Sequence, residues 1–214
     1  QTCSVPISTN RAVQMCRANS PNPNSYYLLR ARIQVITARD KFAVRNGFEK
    51  TLKSGRYLDR NAEQYGYALS LIETGEFVRA RKILNDLLKT DPSRIAYLLE
   101  RARLESMANQ HKQAISHFKQ ALADYPDNGP LTLAYAKALL RAGKANDARQ
   151  VITDHQRHNP DDPHFYLLLA EAEADLGHTA KTHIAMGEYY YRIGQTHQAI
   201  DQLSLALQIG RAHV

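Results

Sequence analysis

The chain has 214 residues, of which 43% are hydrophobic and 23% charged, a balance typical of globular domains and unlike that of disordered chains. Its longest apolar run is about six residues, whereas a membrane-spanning helix needs roughly 20, so no span is expected. The net charge of +7 arises at one end, because residues 1–60 hold eleven basic and three acidic residues while residues 61–214 hold seventeen and eighteen. This distribution argues against a nucleic-acid-binding surface along the chain.

The basic opening region, residues 1–60, is compatible with several surroundings. Clustered positive charge attracts phosphates, acidic protein surfaces and anionic lipid headgroups. It also occurs on a solvated face or on a surface that docks a neighbouring domain. Residues 1–24 are an irregular leader that contains both cysteines, Cys3 and Cys16. One possible pair in such a leader does not define a redox compartment, and the sequence shows no recognisable signal peptide.

Two helices without a repeat signature are predicted in residues 25–60. Apolar residues recur at helical spacing in SYYLLRARIQVITARD and again between Lys41 and Ser54. We therefore expect an atypical opening pair ahead of the regular part of the chain.

Prolines mark a regular period in the next part of the chain. Pro92, Pro126 and Pro160 recur at one constant interval, which is the period of a helix–turn–helix repeat, about 34 residues. Small residues at this period allow two helices to approach, a larger apolar residue fills the gap between neighbouring pairs, and proline ends the second helix. The columns that share the period are Ala68, Ala102 and Ala136; Ala80, Ala114 and Ala148; and Leu84, Phe118 and Ile152.

This pattern resembles the tetratricopeptide repeat (TPR), and three units match it, namely 61–94, 95–128 and 129–162. The resemblance implies an all-α fold in which antiparallel helix pairs stack into a right-handed superhelix, a TPR-type α-solenoid. Gly75 and Gly143 fall in the turn between paired helices, where a positive φ is expected.

The spacing of the repeat residues changes after residue 162. A further unit begins at Pro163, but the repeat pattern then returns with a start at Ala180, half a period late. We expect one helix of residues 163–209 to belong to two successive pairs, so that the stack continues. Residues 210–214 follow an apolar helix without the polar terminal element that usually closes a solenoid. This predicts a truncated end, whose apolar surface could drive self-association.

The segment DHQRHNPDDPH places three histidines among three aspartates. One interpretation is a metal site, because His155 and His158 are spaced i, i+3. The repeat register favours another: Pro160 closes a unit, and Asp162 caps the next helix ahead of Pro163. The two histidines then end the preceding helix, where a positive charge is favourable. We therefore predict a repeat junction here and no metal.

Catalytic motifs are absent from the sequence. No histidine is followed by glutamate, so the HExxH helix of zinc peptidases is missing. Gly143 and Lys144 lack the glycine spacing and the following Ser or Thr of a phosphate-binding loop. Neither cysteine lies near a histidine in the sequence, so no activated nucleophile is expected. We predict no catalytic residue, metal ligand or cofactor within this chain.

A peptide-binding groove is predicted on the first helices of the repeats, which line the concave side of such a stack. The fifth residues of the units form an apolar column, and the ninth residues form a mixed, partly basic wall. The column is Tyr65, Leu99, Leu133 and Leu167, and the wall is Leu69, Arg103, Lys137 and Glu171. This surface suits an extended or helical peptide, and the same leucines equally suit packing between helices. Tyr65 and Leu69 stand where carboxylate-clamping TPRs have Lys and Asn, which disfavours that mode.

The order of features also resembles the C-terminal half of the periplasmic β-barrel assembly-enhancing protease family of Gram-negative bacteria. The resemblance rests on the leader TCSVPISTNRAVQMCRA, on the first helix SYYLLRARI and on the first clear repeat, AEQYGYALSLIETGEFVRARKIL. Cys3 and Ser4 replace the His-Pro that this family tends to have at the join between its two halves.

The resemblance implies a zinc metallopeptidase and chaperone whose zinc ligands and catalytic glutamate lie in an N-terminal domain outside this sequence. The present segment would be its non-catalytic, substrate-engaging module in the periplasm. Its partners would be its own peptidase domain, outer-membrane proteins or their assembly machinery, with the basic opening region as the dock for the peptidase. The alternative is a stand-alone TPR adaptor of a pilus, secretion or assembly complex.

Overall fold

The computed structural model describes residues 23–212, and these form eleven helices and no strand. Of the predicted leader, residues 1–24, the part up to residue 22 with both cysteines lies outside the described residues, and Pro23 already begins the first helix. Residues 213 and 214 also lie outside them. The described range contains no helix that is both long and apolar enough for a bilayer crossing. In chain order the helices are α1 (Pro23–Thr37), α2 (Lys41–Ser54), α3 (Arg60–Glu73), α4 (Phe77–Thr90), α5 (Ile95–Met107), α6 (His111–Asp124), α7 (Gly129–Arg141), α8 (Ala145–Gln156), α9 (Pro163–Asp175), α10 (Thr179–Arg192) and α11 (Thr196–Ala212).

The chain divides into two compact units, residues 1–87 and 88–214. In the first unit, the predicted opening pair is present as α1 and α2, and both helices pack against α3. Aspartates begin two of these helices: the Asp40 carboxylate accepts the N–H of Ala43 at 2.9 Å, and that of Asp59 accepts the N–H of Ala62 at 2.9 Å. These carboxylates cap amide groups that have no partner within the helix.

A glycine in α3 decides how closely the first three helices pack. A Cβ atom added to Gly66 would lie 2.4 Å from the Phe48 ring of α2 and 3.1 Å from the Ala31 Cβ of α1. Both neighbours are buried. Two helices can therefore approach α3 at this residue only because it has no side chain.

A cluster of charges joins α2 to the start of α4. Arg45 forms an ion pair with Glu76, and Arg79 donates to the second carboxylate oxygen of Glu76 at 2.6 Å. The Arg79 guanidinium also lies 5.6 Å from the centre of the Tyr67 ring. Hydrogen bonds from Arg79, together with the nearby Arg45, lower the pKa of the Glu76 carboxyl. Part of the basic excess of residues 1–60 is thus neutralised within the unit.

The second unit contains the repeats that follow the first one, whose helices α3 and α4 lie mostly in the first unit. Each helix from α5 to α11 packs against the next one along the chain. The first helices of successive pairs are also neighbours, because α5 contacts α7 and α7 contacts α9. Helix α10 packs against both α9 and α11, which is the arrangement expected where one helix serves two pairs.

In each turn between two paired helices, one residue adopts the left-handed backbone conformation. The residue that follows it donates its N–H to the carbonyl five residues before itself, at 2.8–2.9 Å in every case. This hydrogen bond ends the first helix and requires a positive φ. The prediction for Gly75 and Gly143 is confirmed, and the repeat between them uses an asparagine. The positions are Gly75 (φ 80°), Asn109 (φ 59°), Gly143 (φ 69°), Gly177 (φ 75°) and Gly194 (φ 79°).

The periodic apolar columns form the core of the repeats, as predicted. Ala80, Ala114 and Ala148 are completely buried, and Leu84, Phe118 and Ile152 are at most 1% exposed. In the second unit, the Phe118 ring of α6 lies 5.9 Å from the Tyr135 ring of α7. The larger column thus fills the space between a second helix and the first helix of the following pair.

Candidate functional site

The eight predicted groove residues lie in both units and differ in exposure. In the first unit, Tyr65 and Leu69 of α3 are buried. These two side chains therefore have almost no surface that a bound peptide could reach.

In the second unit, the apolar column has one residue on each of α5, α7 and α9, the first helices of three successive repeats. Leu99 of α5 is only 6% exposed, Leu133 of α7 is half-buried, and Leu167 of α9 is 40% exposed. The three leucines lie on neighbouring helices, because α7 contacts both α5 and α9. Leu99 belongs to the buried core, and Leu133 packs against it. Leu133 and Leu167 are the two residues of this column in the second unit that have accessible side-chain surface.

The wall residues of the second unit are accessible charged groups. Arg103 donates to Glu100 at 3.1 Å, and about a third of its side chain is exposed. Lys137 and Glu171 are exposed on α7 and α9. We use the name "first-helix face" for Leu133, Leu167, Arg103, Lys137 and Glu171. This face combines apolar contacts with charges of both signs and can bind a polypeptide.

Two buried carboxylates on α5 were missed by the sequence analysis. Glu100 and Glu105 have no exposed surface, and a buried carboxylate is costly unless it is paired. Glu100 accepts from Arg103, and Glu105 forms an ion pair with Arg101. The spacings i, i+3 and i, i+4 between acid and arginine were the available signal in the sequence.

The histidine-rich segment is a repeat junction, as predicted. Asp162 is the N-cap of α9, and its carboxylate accepts the N–H of His164 at 2.9 Å. The His155 ring stacks on the Phe165 ring with 4.3 Å between their centres. One detail of the prediction was wrong: α8 ends at Gln156, so His158 lies beyond the helix. Beyond Gln156 the backbone forms a turn in which the N–H of Asn159 donates to the carbonyl of His155 at 3.0 Å.

Burial also affects the electrostatics of this junction. It lowers the pKa of His155, while the charges of Asp162 and Asp127 act in the opposite direction. The pKa of His117 is lowered by burial and by the neighbouring positive charge of Arg101. In both rings burial favours the neutral imidazole over the charged form.

The described part of the chain contains no cluster of side chains that could coordinate a metal ion. Residues 23–212 contain no group of three or more His, Cys, Asp or Glu side chains arranged to hold a metal ion. The zinc implied by the resemblance to a metallopeptidase does not fit these residues, and no zinc chemistry is assigned to them.

Comparisons with known proteins agree with this architecture. Two tetratricopeptide-repeat family models match residues 65–130 and 107–172. The β-barrel assembly-enhancing protease of Escherichia coli (strain K12) is 30% identical over 197 residues, which are 92% of this chain and 40% of that protein. The protein of the same name in Yersinia pestis is 26% identical over 195 residues, 91% of this chain and 40% of that protein. The chain thus spans about 40% of the length of the curated relatives it matches.

Solved structures support the same fold. A thermophilic TPR protein of Thermus thermophilus has a TM-score of 0.65 at 17% identity, covering 86% of this chain and 98% of that one. A tetratricopeptide repeat protein of Parabacteroides merdae has a TM-score of 0.57 at 16% identity, covering 94% and 84%. The predicted α-solenoid class is confirmed. The chain therefore belongs to the tetratricopeptide-repeat proteins, and over 92% of its length it is homologous to a β-barrel assembly-enhancing protease.

Proposed function

We propose that the chain is the non-catalytic, protein-binding module of a periplasmic metalloprotease-chaperone for outer-membrane protein assembly and quality control. The observation that carries this proposal is the similarity over 92% of the chain to proteins named β-barrel assembly-enhancing protease. The peptidase chemistry, with its zinc, belongs to a domain that these residues do not supply. The contribution of this chain is to engage a polypeptide.

The first-helix face supports this role through its chemistry. Leu133 and Leu167 offer apolar contacts on adjacent helices, and Lys137 and Glu171 lie four residues beyond them, one turn further along each helix. A bound segment with apolar side chains would seat these on the leucines. Its acidic groups would be drawn to Lys137 and Arg103 and its basic groups to Glu171, so that the charges set its orientation.

The basic opening region supports a second contact, with the peptidase domain. Arg45 is already paired with Glu76 and also lies 5.4 Å from the centre of the Phe42 ring, so it has a role inside the first unit. Arg30 and Arg39 are both exposed, whereas Arg32 is partly buried, and we assign Arg30 and Arg39 to docking. Of the four arginines that the sequence offers in residues 30–45, these two are the better targets for charge reversal.

A chimera tests the proposal. The 197 aligned residues of the Escherichia coli relative are replaced by this chain in a strain that lacks the relative. We expect the chimera to restore the outer-membrane barrier to large antibiotics and the amount of assembled β-barrel protein. A chimera that accumulates at normal level and restores neither would contradict the proposal.

Matched variants of the chimera locate the binding surface. Leu133→Glu with Leu167→Glu should abolish the rescue because it places charge on the apolar contacts. Val78→Glu is the control, since Val78 is 77% exposed on α4 and lies outside the first-helix face. Arg30→Glu with Arg39→Glu should weaken the rescue through the dock. Circular dichroism of each purified chain shows whether the helices are intact.

The coding sequence upstream of Gln1 distinguishes the metalloprotease module from a stand-alone adaptor. A reading frame that encodes an HExxH helix upstream of Gln1 supports the metalloprotease. A complete reading frame without one favours the adaptor.

A further inference from the structure

A cleft opens between the turns of two successive repeats in the second unit. It has a volume of about 550 Å³ and lies between the turn from α5 to α6 and the turn from α7 to α8. Concave sites of this size can hold a ligand or part of a peptide. We call it the turn cleft, and the lining residues that define it are Asn109, His111, Lys112, Ile115, Ala142 and Lys144.

The left-handed residue of the first of these turns is an asparagine, where the other four turns between paired helices have glycine. Asn109 holds a φ of 59°, a conformation that glycine adopts at no steric cost. Its side chain is exposed, lines the turn cleft and has no hydrogen-bond partner within residues 23–212. An amide side chain offers one donor and one acceptor group, as a peptide backbone does. A costly backbone conformation at a residue with an unpartnered side chain indicates a binding role.

The charged side chains that line the turn cleft are positive. They are Lys112 and Lys144, and no Asp or Glu of the described chain lines it. Lys112 is exposed and has no ion-pair partner within residues 23–212. Lys144 lies 3.4 Å from the Asp147 carboxylate, but both side chains are more than half exposed, so that pair is weak. The turn cleft therefore attracts an acidic group.

The remaining surface of the turn cleft is mainly apolar. Ile115 of α6 and Ala142 of the following turn contribute to it, and both are partly buried. The Nδ1 atom of His111 is buried and has no hydrogen-bond partner within the described residues, although nearly all buried polar atoms in proteins are paired. An apolar surface beside two cations and an unpartnered amide fits an acidic polypeptide segment with an apolar side chain.

The next cleft along the same row of turns carries negative charge. It has a volume of about 490 Å³ and lies between the turn from α7 to α8 and the end of α9. Asp147 and Asp175 line it, and Lys144 lines both clefts. Helices in contact lie about 8–10 Å apart, a distance that about three residues of an extended chain cover. A segment with an acidic residue in the turn cleft would therefore reach the two aspartates with a residue three positions away, where a basic residue is favoured.

We propose that the turn cleft binds an extended polypeptide segment in which an acidic residue stands next to an apolar one, with a basic residue three positions from the acid. Lys112 and Lys144 contact the acidic group, and the apolar side chain covers Ile115 and Ala142. The Asn109 amide pairs with the backbone of the segment. This is a second polypeptide site, separate from the first-helix face, and it does not depend on the assignment to a metalloprotease.

Fluorescence anisotropy with the full 214-residue chain and a labelled synthetic peptide, Ser-Gly-Asp-Leu-Ser-Lys-Gly-Ser, tests the proposal. We expect saturable binding that added salt weakens, because salt screens the opposite charges. The same peptide with lysine in place of its aspartate should bind about tenfold more weakly or not at all. Absence of saturable binding up to the solubility limit of the chain would overturn the proposal.

Matched variants locate the bound peptide. Lys112→Glu with Lys144→Glu should lower the affinity by about tenfold or more, because it places negative charge beside the aspartate. Lys119→Glu is the control, since Lys119 is exposed on the same helix but does not line the turn cleft. Leu133→Glu with Leu167→Glu, on the first-helix face, should leave the affinity unchanged. Binding that is lost with the leucine changes and kept with the Lys112 and Lys144 changes contradicts the proposal.

Asn109→Gly separates a binding role from a structural one. Glycine adopts this backbone conformation freely, so thermal unfolding of the variant should change little. Its affinity for the peptide should still fall about three- to tenfold, because a hydrogen-bonding group is lost. Full affinity in a stably folded Asn109→Gly chain would rule out the contact with the peptide backbone. Should the double lysine variant lose its helical circular dichroism, Lys112→Gln with Lys144→Gln repeats the test with a smaller change.

Discussion

The two units of the chain join their helices by different means. In the second unit, residues at a constant interval make the same contact in each repeat: Phe118 and Ile152 fill equivalent gaps between successive pairs. In the first unit, α1 and α2 follow no period, and their approach to α3 depends on one residue, Gly66. A stack of repeats extends by using the same contact between equivalent residues, whereas a non-periodic junction depends on a contact that occurs only once. The two kinds of contact should therefore respond differently to substitution.

The largest effect is expected for the repeated column. Phe118→Ala removes a fully buried ring and should lower the free energy of unfolding by about 3–5 kcal/mol. Leu203→Ala, at the equivalent position of α11, should cost clearly less because 40% of that side chain is already exposed. Denaturant unfolding of both variants measures the difference. Equal losses would mean that the last repeat is covered as fully as the inner ones.

An intermediate effect is expected at the non-periodic junction. Gly66→Ala places a methyl group against the buried Phe48 ring, and overpacking of this kind costs about 1–3 kcal/mol. Gly47→Ala is the control, because Gly47 lies inside α2 with no atom within 4 Å of the added Cβ. Alanine forms helices better than glycine and should stabilise that site by up to about 1 kcal/mol. Thermal unfolding of the two variants measures the difference. Equal unfolding temperatures for Gly66→Ala and Gly47→Ala would contradict the role of Gly66 as a close-contact residue.

The smallest effect is a dependence on pH within the second unit. Burial lowers the pKa of His155 in the folded chain, so the unfolded chain binds the proton more readily. The free energy of unfolding should fall as pH drops through the unfolded value of about 6.5. His155→Gln should flatten this dependence, and His197→Gln on the exposed side of α11 should leave it unchanged. A steeper loss in the His155 variant would mean that the folded state favours the charged ring.

Much of the second unit could be predicted from spacing alone. The constant interval between the prolines located the paired helices, and Asp162 was recognised as a cap because its role depends on neighbouring residues in the chain. Asn109 was missed since it fills a glycine position with a different residue, although the period between Gly75 and Gly143 points to it. The ion pairs of Glu100 and Glu105 did not follow from the repeat period, because each joins two residues of the same helix.

The candidate site was less predictable. Position five of the first helix was assigned to the groove in every repeat, yet Leu99 is almost buried and Leu167 is well exposed. The sequence assigns a side chain to one face of its helix, but the amount of that face that solvent reaches depends on neighbouring helices distant in the chain.

The sequence by itself determined the helical pairs, their turns and the residues able to form a core, because these follow from local spacing and backbone preference. The tertiary structure alone decided that Gly66 admits two helices at one point. It also decided that Leu203 lies exposed where Leu84, Phe118 and Ile152 are covered. The burial of a residue depends on what packs against it. Residues at the same repeat position therefore differ in exposure when a following helix covers one of them and no helix within residues 23–212 covers the other.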